Sequence, residues 1–169
     1  MIDYRDGRAG DGAMLGGIAR ATFIETFGSL YSLANLEVFL RNGSDAAYEA
    51  ELADPDIEVR FAIAGETPVG FCKVSRLKLP VVTIEPTAME LRQLYIFKPW
   101  HGVGIADVLT RWALDRAKAR NASEMWLSVY TDNPRARRFY ARYGFVEMMP
   151  YKFMVGDQAD EDVLCRVTL

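Results

Sequence analysis

The sequence predicts one domain of α+β (mixed α/β) class, with a mixed, mostly antiparallel sheet of about seven strands flanked by helices. Three observations carry this. Apolar patterning along the 169 residues runs strand, two or three helices, three strands, helix, strand, helix, two strands. Turn signals at "GETP" (65–68) and "GD" (156–157) join neighbouring strands into antiparallel hairpins. Between them, a strand–helix–strand unit must form a parallel pair with a right-handed crossover. The length suits a single domain, 1–169, with its own core.

"IDYR" opens the chain as a short strand. In "DGAMLGGIARATFIETFG", Leu15, Ile18, Ala19, Thr22 and Phe23 recur at helical spacing. Asp11 is placed as its N-cap and Gly28 as its stop. "SLANLEVFLRNG" reads as a second helix ended by Asn42-Gly43. Ser44 caps a third, which stops before Pro55. Val59–Ala64 and Val69–Leu77 form a hairpin. "LKLPVVTIEPTA" holds two prolines and reads as a loop or an edge. Met89–Phe97 is a strand whose alternation slips: Leu91 falls on one face, Leu94 and Ile96 on the other. A bulge inside the strand explains the slip.

Ile105, Val108, Leu109, Trp112, Ala113 and Ala117 define an amphipathic helix. Glu124–Tyr130 is a strand. "NPRARRFYARYG" is a helix with Asn133 at the N-cap, Pro134 at N1 and Gly144 at the stop. "FVEMMPYKFMV" and "VLCRVTL" close the chain as an antiparallel pair.

Composition narrows function. Half the residues are apolar, a quarter are charged, and the net charge is −3 with both signs mixed. Neither a general nucleic-acid surface nor a disordered chain is expected. No apolar run approaches a bilayer span, and the N-terminus lacks a signal peptide's apolar core. A cytoplasmic protein is the expectation. Cys72 and Cys165 are far apart in apolar strands and read as buried free thiols. With His101 the sole histidine, no metal site is expected.

The segment "HGVGIA" (101–106) lies between a strand and a helix. Such a junction presents unpaired backbone N–H groups at the positive end of a helix dipole. Glycines there either make a tight turn or let a phosphate approach the backbone. No GxxxxGK[ST] occurs, and GxGxxG fails because Asp107 stands at its last position.

"NPRARRFYARYGF" begins 31 residues after Gly102, one helix and one strand later. With "LYI" at 94–96 and His-Gly-Val-Gly-Ile-Ala at 101–106, it resembles the GNAT superfamily of acyl-CoA-dependent N-acetyltransferases. Every fixed position of the family's N-x-x-A-x-x-F-Y-x-x-x-G-F pattern is present from Asn133 to Phe145. The resemblance is strong over 88–146. It implies the family's sheet, with a splayed parallel pair that binds the cofactor.

The resemblance implies acetyl-CoA as co-substrate and no metal. Leu94, Tyr95 and Ile96 would meet the pantetheine arm, with backbone groups of Leu94 and Ile96 offered to it. An N–H near Leu94 would polarise the thioester carbonyl. Residues His101, Gly102, Val103, Gly104, Ile105, Ala106 and Asp107 would hold the pyrophosphate, and Asn133 would touch the arm or a bound water. Tyr140 maps onto the general acid that protonates the leaving thiolate. Two departures stand out. His101 replaces the usual Gln or Arg, and Asp107 would repel a pyrophosphate unless it points to solvent.

An acceptor amine must lose a proton before it attacks. Glu90, early in the cofactor strand, is the candidate base, with Glu25 and Glu85 behind it. No activated nucleophile is recognisable, so direct transfer in a ternary complex is expected. Glu25, Phe27 and Tyr31 either line an acceptor pocket or pack the corner after the first helix. The tail and "YSLANLEVFL" are similar to a bacterial subgroup that includes spermidine/spermine N-acetyltransferases, which points to a polyamine. Two alternatives remain: a protein acetyltransferase acting on lysines or N-termini, and a non-catalytic acyl-CoA-binding module. The expected partners are acetyl-CoA, a small amine and a second copy of the chain in a homodimer, with neither nucleic acid nor membrane.

Overall fold

The computed structural model describes residues 1–82 and 87–169. Seven strands form one sheet: β1 (Ile2–Asp6), β2 (Ile57–Ala64), β3 (Thr67–Arg76), β4 (Met89–Ile96), β5 (Glu124–Tyr130), β6 (Val146–Val155) and β7 (Gln158–Thr168). Their order is β1-β2-β3-β4-β5-β7-β6. Every neighbouring pair is antiparallel except β4–β5. The helices are α1 (Gly12–Phe27), α2 (Leu33–Asn42), α3 (Asp45–Ala53), α4 (Ile105–Ala119) and α5 (Pro134–Arg142). The expected class, strand count and element order are all present. No helix of the described residues is long and apolar enough to cross a membrane.

The strand period of two builds both layers. Phe61 and Phe71 face one side, where Leu15, Ile18 and Ala19 of α1 cover them. Ala62 and Cys72 face the other, beneath Ile105, Leu109 and Ala113 of α4. Leu109 is fully buried, so Leu109→Ala costs about 2–5 kcal/mol. Cys72 and Cys165 are free and buried, as expected.

Local signals held with informative exceptions. Ser32 and Ser44 cap α2 and α3 by accepting from Asn35 N and Ala47 N, each at 3.2 Å. Asp11 occupies the N-cap position of α1 but caps nothing. Arg5 holds its carboxylate at 2.7 and 2.9 Å, and Glu49 of α3 caps instead, accepting from Gly12 N at 2.8 Å. A partner 37 residues away in sequence leaves no local trace. At Gly28 the chain stays right-handed and enters a 3-10 turn, Gly28–Leu30. The β2–β3 turn is tighter than "GETP", because Thr67 and Pro68 already pair with Ala64 and Ile63.

Candidate active site

The cleft originates in an irregularity of β4. Lys73 pairs with Gln93 and Val74 with Leu91, so Arg92 is an extra residue in the ladder. This is the expected bulge, and it returns Leu91 to the core face shared with Leu94 and Ile96. Its consequence is separation. β4 pairs with β5 only at Met89–Met125 and Glu90–Trp126. Beyond that point β4 follows β3 while β5 follows β7, and a wedge opens between them.

Alternation then decides which backbone groups face the wedge. Phe97 N donates to Val69 O at 3.0 Å, with Ile96 opposite Gly70 and Tyr95 opposite Phe71. Tyr95 and Phe97 therefore turn their backbone groups to β3, and Leu94 and Ile96 turn theirs outward. Tyr95 lines the cleft through its ring, which meets Phe71 edge-on at 5.8 Å. Its backbone is committed to the sheet.

At the open end, Gly102 and Gly104 adopt φ of 83° and 91°. A Cβ at either would meet open space, so conformation rather than crowding selects glycine. From Gly102 through Asp107 no backbone N–H has an acceptor among the described residues. Alternating left-handed residues at a helix N-terminus turn successive N–H groups into one concavity, and the α4 dipole adds positive potential. The loop fits a pyrophosphate. Ile105 contributes only backbone here, because its side chain is buried in the core, whereas the Val103 side chain is exposed.

The two unusual neighbours are both engaged. His101 Nε2 lies 2.7 Å from Ile96 O, and Arg135 contacts Nδ1. A carbonyl only accepts and a guanidinium only donates, so Nε2 carries the ring proton. His101 thus fastens the loop to β4 instead of presenting a free donor to phosphate. Asp107 was expected to point to solvent. It accepts from Tyr143 Oη at 2.6 Å, with Arg142 at 3.9 Å. That bond turns its charge toward α5.

Asn133 caps α5, accepting from Ala136 N at 3.1 Å, and lines the cleft beside Tyr140. Burial pushes the Tyr140 pKa up, so its hydroxyl stays protonated and available to donate. No hydrogen-bond partner holds that hydroxyl among the described residues.

Two of the expected bases, Glu90 and Glu25, lie outside the cleft. Glu90 is 7% exposed and accepts from Lys78 N and Leu79 N at 2.8 and 3.1 Å. It sits below the point where the strands part, anchors the β3–β4 connection and does not line the cleft. Glu25 accepts from Lys98 N at 2.9 Å and also lies outside the lining. Glu85 lies outside the described residues.

Phe27 and Tyr31 do line the cleft, and they also pack the corner: Tyr31 stacks on Phe23 at 5.8 Å. Phe27 meets Tyr130 edge-on at 6.2 Å. The sequence reading missed the opposite wall. Asp160 and Asp162 of β7 are buried there, at 8% and 7% exposure. Tyr31 Oη donates to Asp160 and Ser128 Oγ to Asp162. The signal was present in "ADEDVL", where alternation puts Asp160 and Asp162 on the face of buried Leu164. Burial and the nearby Asp160 push the Asp162 pKa up, against the Ser128 hydrogen bond.

Comparison with known proteins agrees with this geometry. The family model described as Acetyltransferase (GNAT) family matches residues 24–145. An uncharacterized N-acetyltransferase from the pepI 3' region of Lactobacillus delbrueckii subsp. lactis is 26% identical over 153 residues, covering 90% of this chain and 88% of the relative. N-alpha-acetyltransferase RimI of Mycobacterium tuberculosis is 34% identical over 117 residues, 66% of this chain and 69% of the relative. The crystal structure of PaiA N-acetyltransferase from Thermoplasma acidophilum, in complex with coenzyme A, superposes with a TM-score of 0.79 at 22% identity. That match covers 100% of this chain and 99% of the other. Splayed strands, glycine cradle and family match converge: the chain belongs to the acetyltransferase (GNAT) family and is an N-acetyltransferase.

Proposed function

We propose that this enzyme transfers the acetyl group of acetyl-CoA directly to a primary amine of a small molecule, with a polyamine as the leading acceptor, in a ternary complex. The observation that carries the proposal is the continuity of one cleft. It runs from the cradle at Ala106, past Leu94 and Tyr140, to the carboxylates of Asp160 and Asp162.

Bound acetyl-CoA supplies an activated acyl group as a thioester. Unpaired amides of 102–107 would hold its pyrophosphate, and Leu94 and Ile96 would pair with the pantetheine arm as an added strand does. His101 has its Nε2 on the Ile96 carbonyl, so the ring must yield that oxygen if the arm takes it. The outward N–H at Leu94 would stabilise charge on the thioester oxygen. Tyr140 would give its proton to the departing sulfur.

A small acceptor is favoured by how the acceptor end is closed. Tyr31 is tied to Asp160, Gln158 Nε2 donates to Leu30 O at 3.3 Å, and Asp157 N donates to Asn35 Oδ1 at 3.2 Å. The corner after α1 is thereby fastened to the β6–β7 hairpin. Aromatic rings and carboxylates on its inner wall suit an alkylammonium. Free, buried Cys72 and Cys165 suit a reducing compartment such as the cytoplasm.

A second reading, acetylation of protein N-termini, is supported by the likeness to RimI. One assay separates the two: thiol release from acetyl-CoA across polyamines, other small amines and N-terminal peptides. A higher kcat/KM for polyamines is expected. A higher value for peptides transfers the assignment to the second reading.

A further inference from the structure

Asp160 and Asp162 are over nine-tenths buried, yet neither has an ion-pair partner among the described residues. Other buried charges are met differently: Lys73 pairs with Glu51 at 2.6 Å, Asp11 pairs with Arg5, and Glu90 accepts from two backbone N–H groups. Burying two carboxylates side by side without a cation is costly. The pair's environment is otherwise specific. Both oxygens of Asp160 are taken, by Tyr31 Oη and by Gln158 Nε2 at 3.0 Å. Asp162 has one oxygen on Ser128 Oγ, and its other oxygen has no partner.

We propose that the missing cation is the acceptor itself: Asp160 holds the positive charge of the incoming amine, and Asp162 takes its proton. The proposal rests on the acetyl-transfer reading and names the base that reading lacks. The alkylammonium gives one proton to the free oxygen of Asp162. The nitrogen lone pair attacks the thioester carbonyl carbon, so a C–N bond forms and the C–S bond breaks. Sulfur takes a proton from Tyr140, which recovers one from the acetylated nitrogen. Asp162 releases its proton to solvent. The balance is one amide, one thiol and one proton.

The two carboxylates differ in the sense this division needs. Asp160 is held by two donors and serves as a fixed charge. Asp162 is pushed toward proton binding by burial and by Asp160. Its other titratable neighbours are Tyr31, Tyr95 of β4, Tyr130 of β5 and Tyr151 opposite it on β6. Burial pushes the phenols of Tyr31, Tyr95 and Tyr130 further up, so none of the three competes for the proton near neutral pH.

The test measures acetyl transfer to 1,4-diaminobutane against pH, together with calorimetric binding of the same diamine to the CoA-loaded protein. Asp162→Asn keeps the shape and is expected to lower kcat/KM by about 10²-fold and to abolish the rise of rate with pH on the acidic side. Asp160→Asn is expected to raise KM more than it lowers kcat. Ser128→Ala removes a hydrogen bond that favours the charged carboxylate, so the acidic limb should move to higher pH; a purely structural role would not move it. Acetyl-CoA affinity measured in each variant reports the fold. Wild-type rate and profile in Asp162→Asn overturn the assignment and leave acetyl transfer standing. If the native protein binds acetyl-CoA but acetylates no amine, the transfer reading and the proton step fail together, and calorimetry decides the pair as an amine site: diamine binding lost in both Asn variants supports that site, and unchanged binding overturns it.

Discussion

Glu90 and Trp126 form the last pair of the parallel ladder between β4 and β5. Two residues later the extra residue, Arg92, separates the strands. Deleting Arg92 leaves Leu91 and Leu94 two positions apart, on the same face, so the core pattern survives in a straight strand. The wedge should then close. The deletion variant is expected to fold, by circular dichroism and cooperative melting, and to lose measurable acetyl-CoA binding in calorimetry. A folded deletion variant that binds acetyl-CoA normally would falsify the role given to the bulge.

Gly104 sets the cradle through its left-handed φ of 91°. A Cβ there has room but strains the backbone by about 1–2 kcal/mol. Relaxation of that strain turns the amides away from their common focus. Gly104→Ala should weaken acetyl-CoA binding about tenfold, which corresponds to about 1.4 kcal/mol. Calorimetry checks this, and an unchanged Kd contradicts it.

Tyr140→Phe keeps the ring that packs on Phe145 at 5.7 Å and removes only the hydroxyl that donates the proton. The expected result is a fall in kcat of about 10²-fold or more, with KM for acetyl-CoA and Tm nearly unchanged. Stopped-flow and steady-state rates over pH read this out. Full activity at every pH would dismiss Tyr140 as the acid.

Asp11 and Asp162 should affect stability with opposite signs. The Arg5 guanidinium holds Asp11 below the usual carboxylate range. Its contribution is present above the unfolded carboxylate pKa and is lost as pH falls through the lower, folded value. Asp11→Asn should destabilise at pH 7 by about 1 kcal/mol, discounted for the exposure of Arg5, and match the parent at low pH. Asp162 is raised, so the fold favours its neutral form and loses that stability as pH climbs through the carboxylate range. Asp162→Asn should raise Tm at pH 7 by about 2–4 °C, with the gain shrinking in acid. Melting both variants against pH tests the two signs together.

What could be read from the sequence was what local pattern encodes. The bulge was legible because Leu91 and Leu94 are out of phase in a strand, and the cap at Asn133 because Pro134 and Gly144 bracket its helix. Tertiary partners were not legible. Glu49 caps α1 from another helix, and Tyr143 turns Asp107 away from the cradle. Glu90 looked catalytic because it precedes the cofactor segment, but the strands have not yet parted at its position. Alternation places Asp160 and Asp162 on one face of β7. Their burial depends on β7 lying between β5 and β6, an order that strand patterns alone do not fix.

The central claim is that one cleft holds the thioester and the amine together. Its most direct test is the initial rate of CoA thiol release with acetyl-CoA and 1,4-diaminobutane varied independently. Release that requires the amine, with intersecting double-reciprocal lines, is expected, as direct transfer in a ternary complex demands. Parallel lines, or thiol release that is indifferent to the amine, would contradict it.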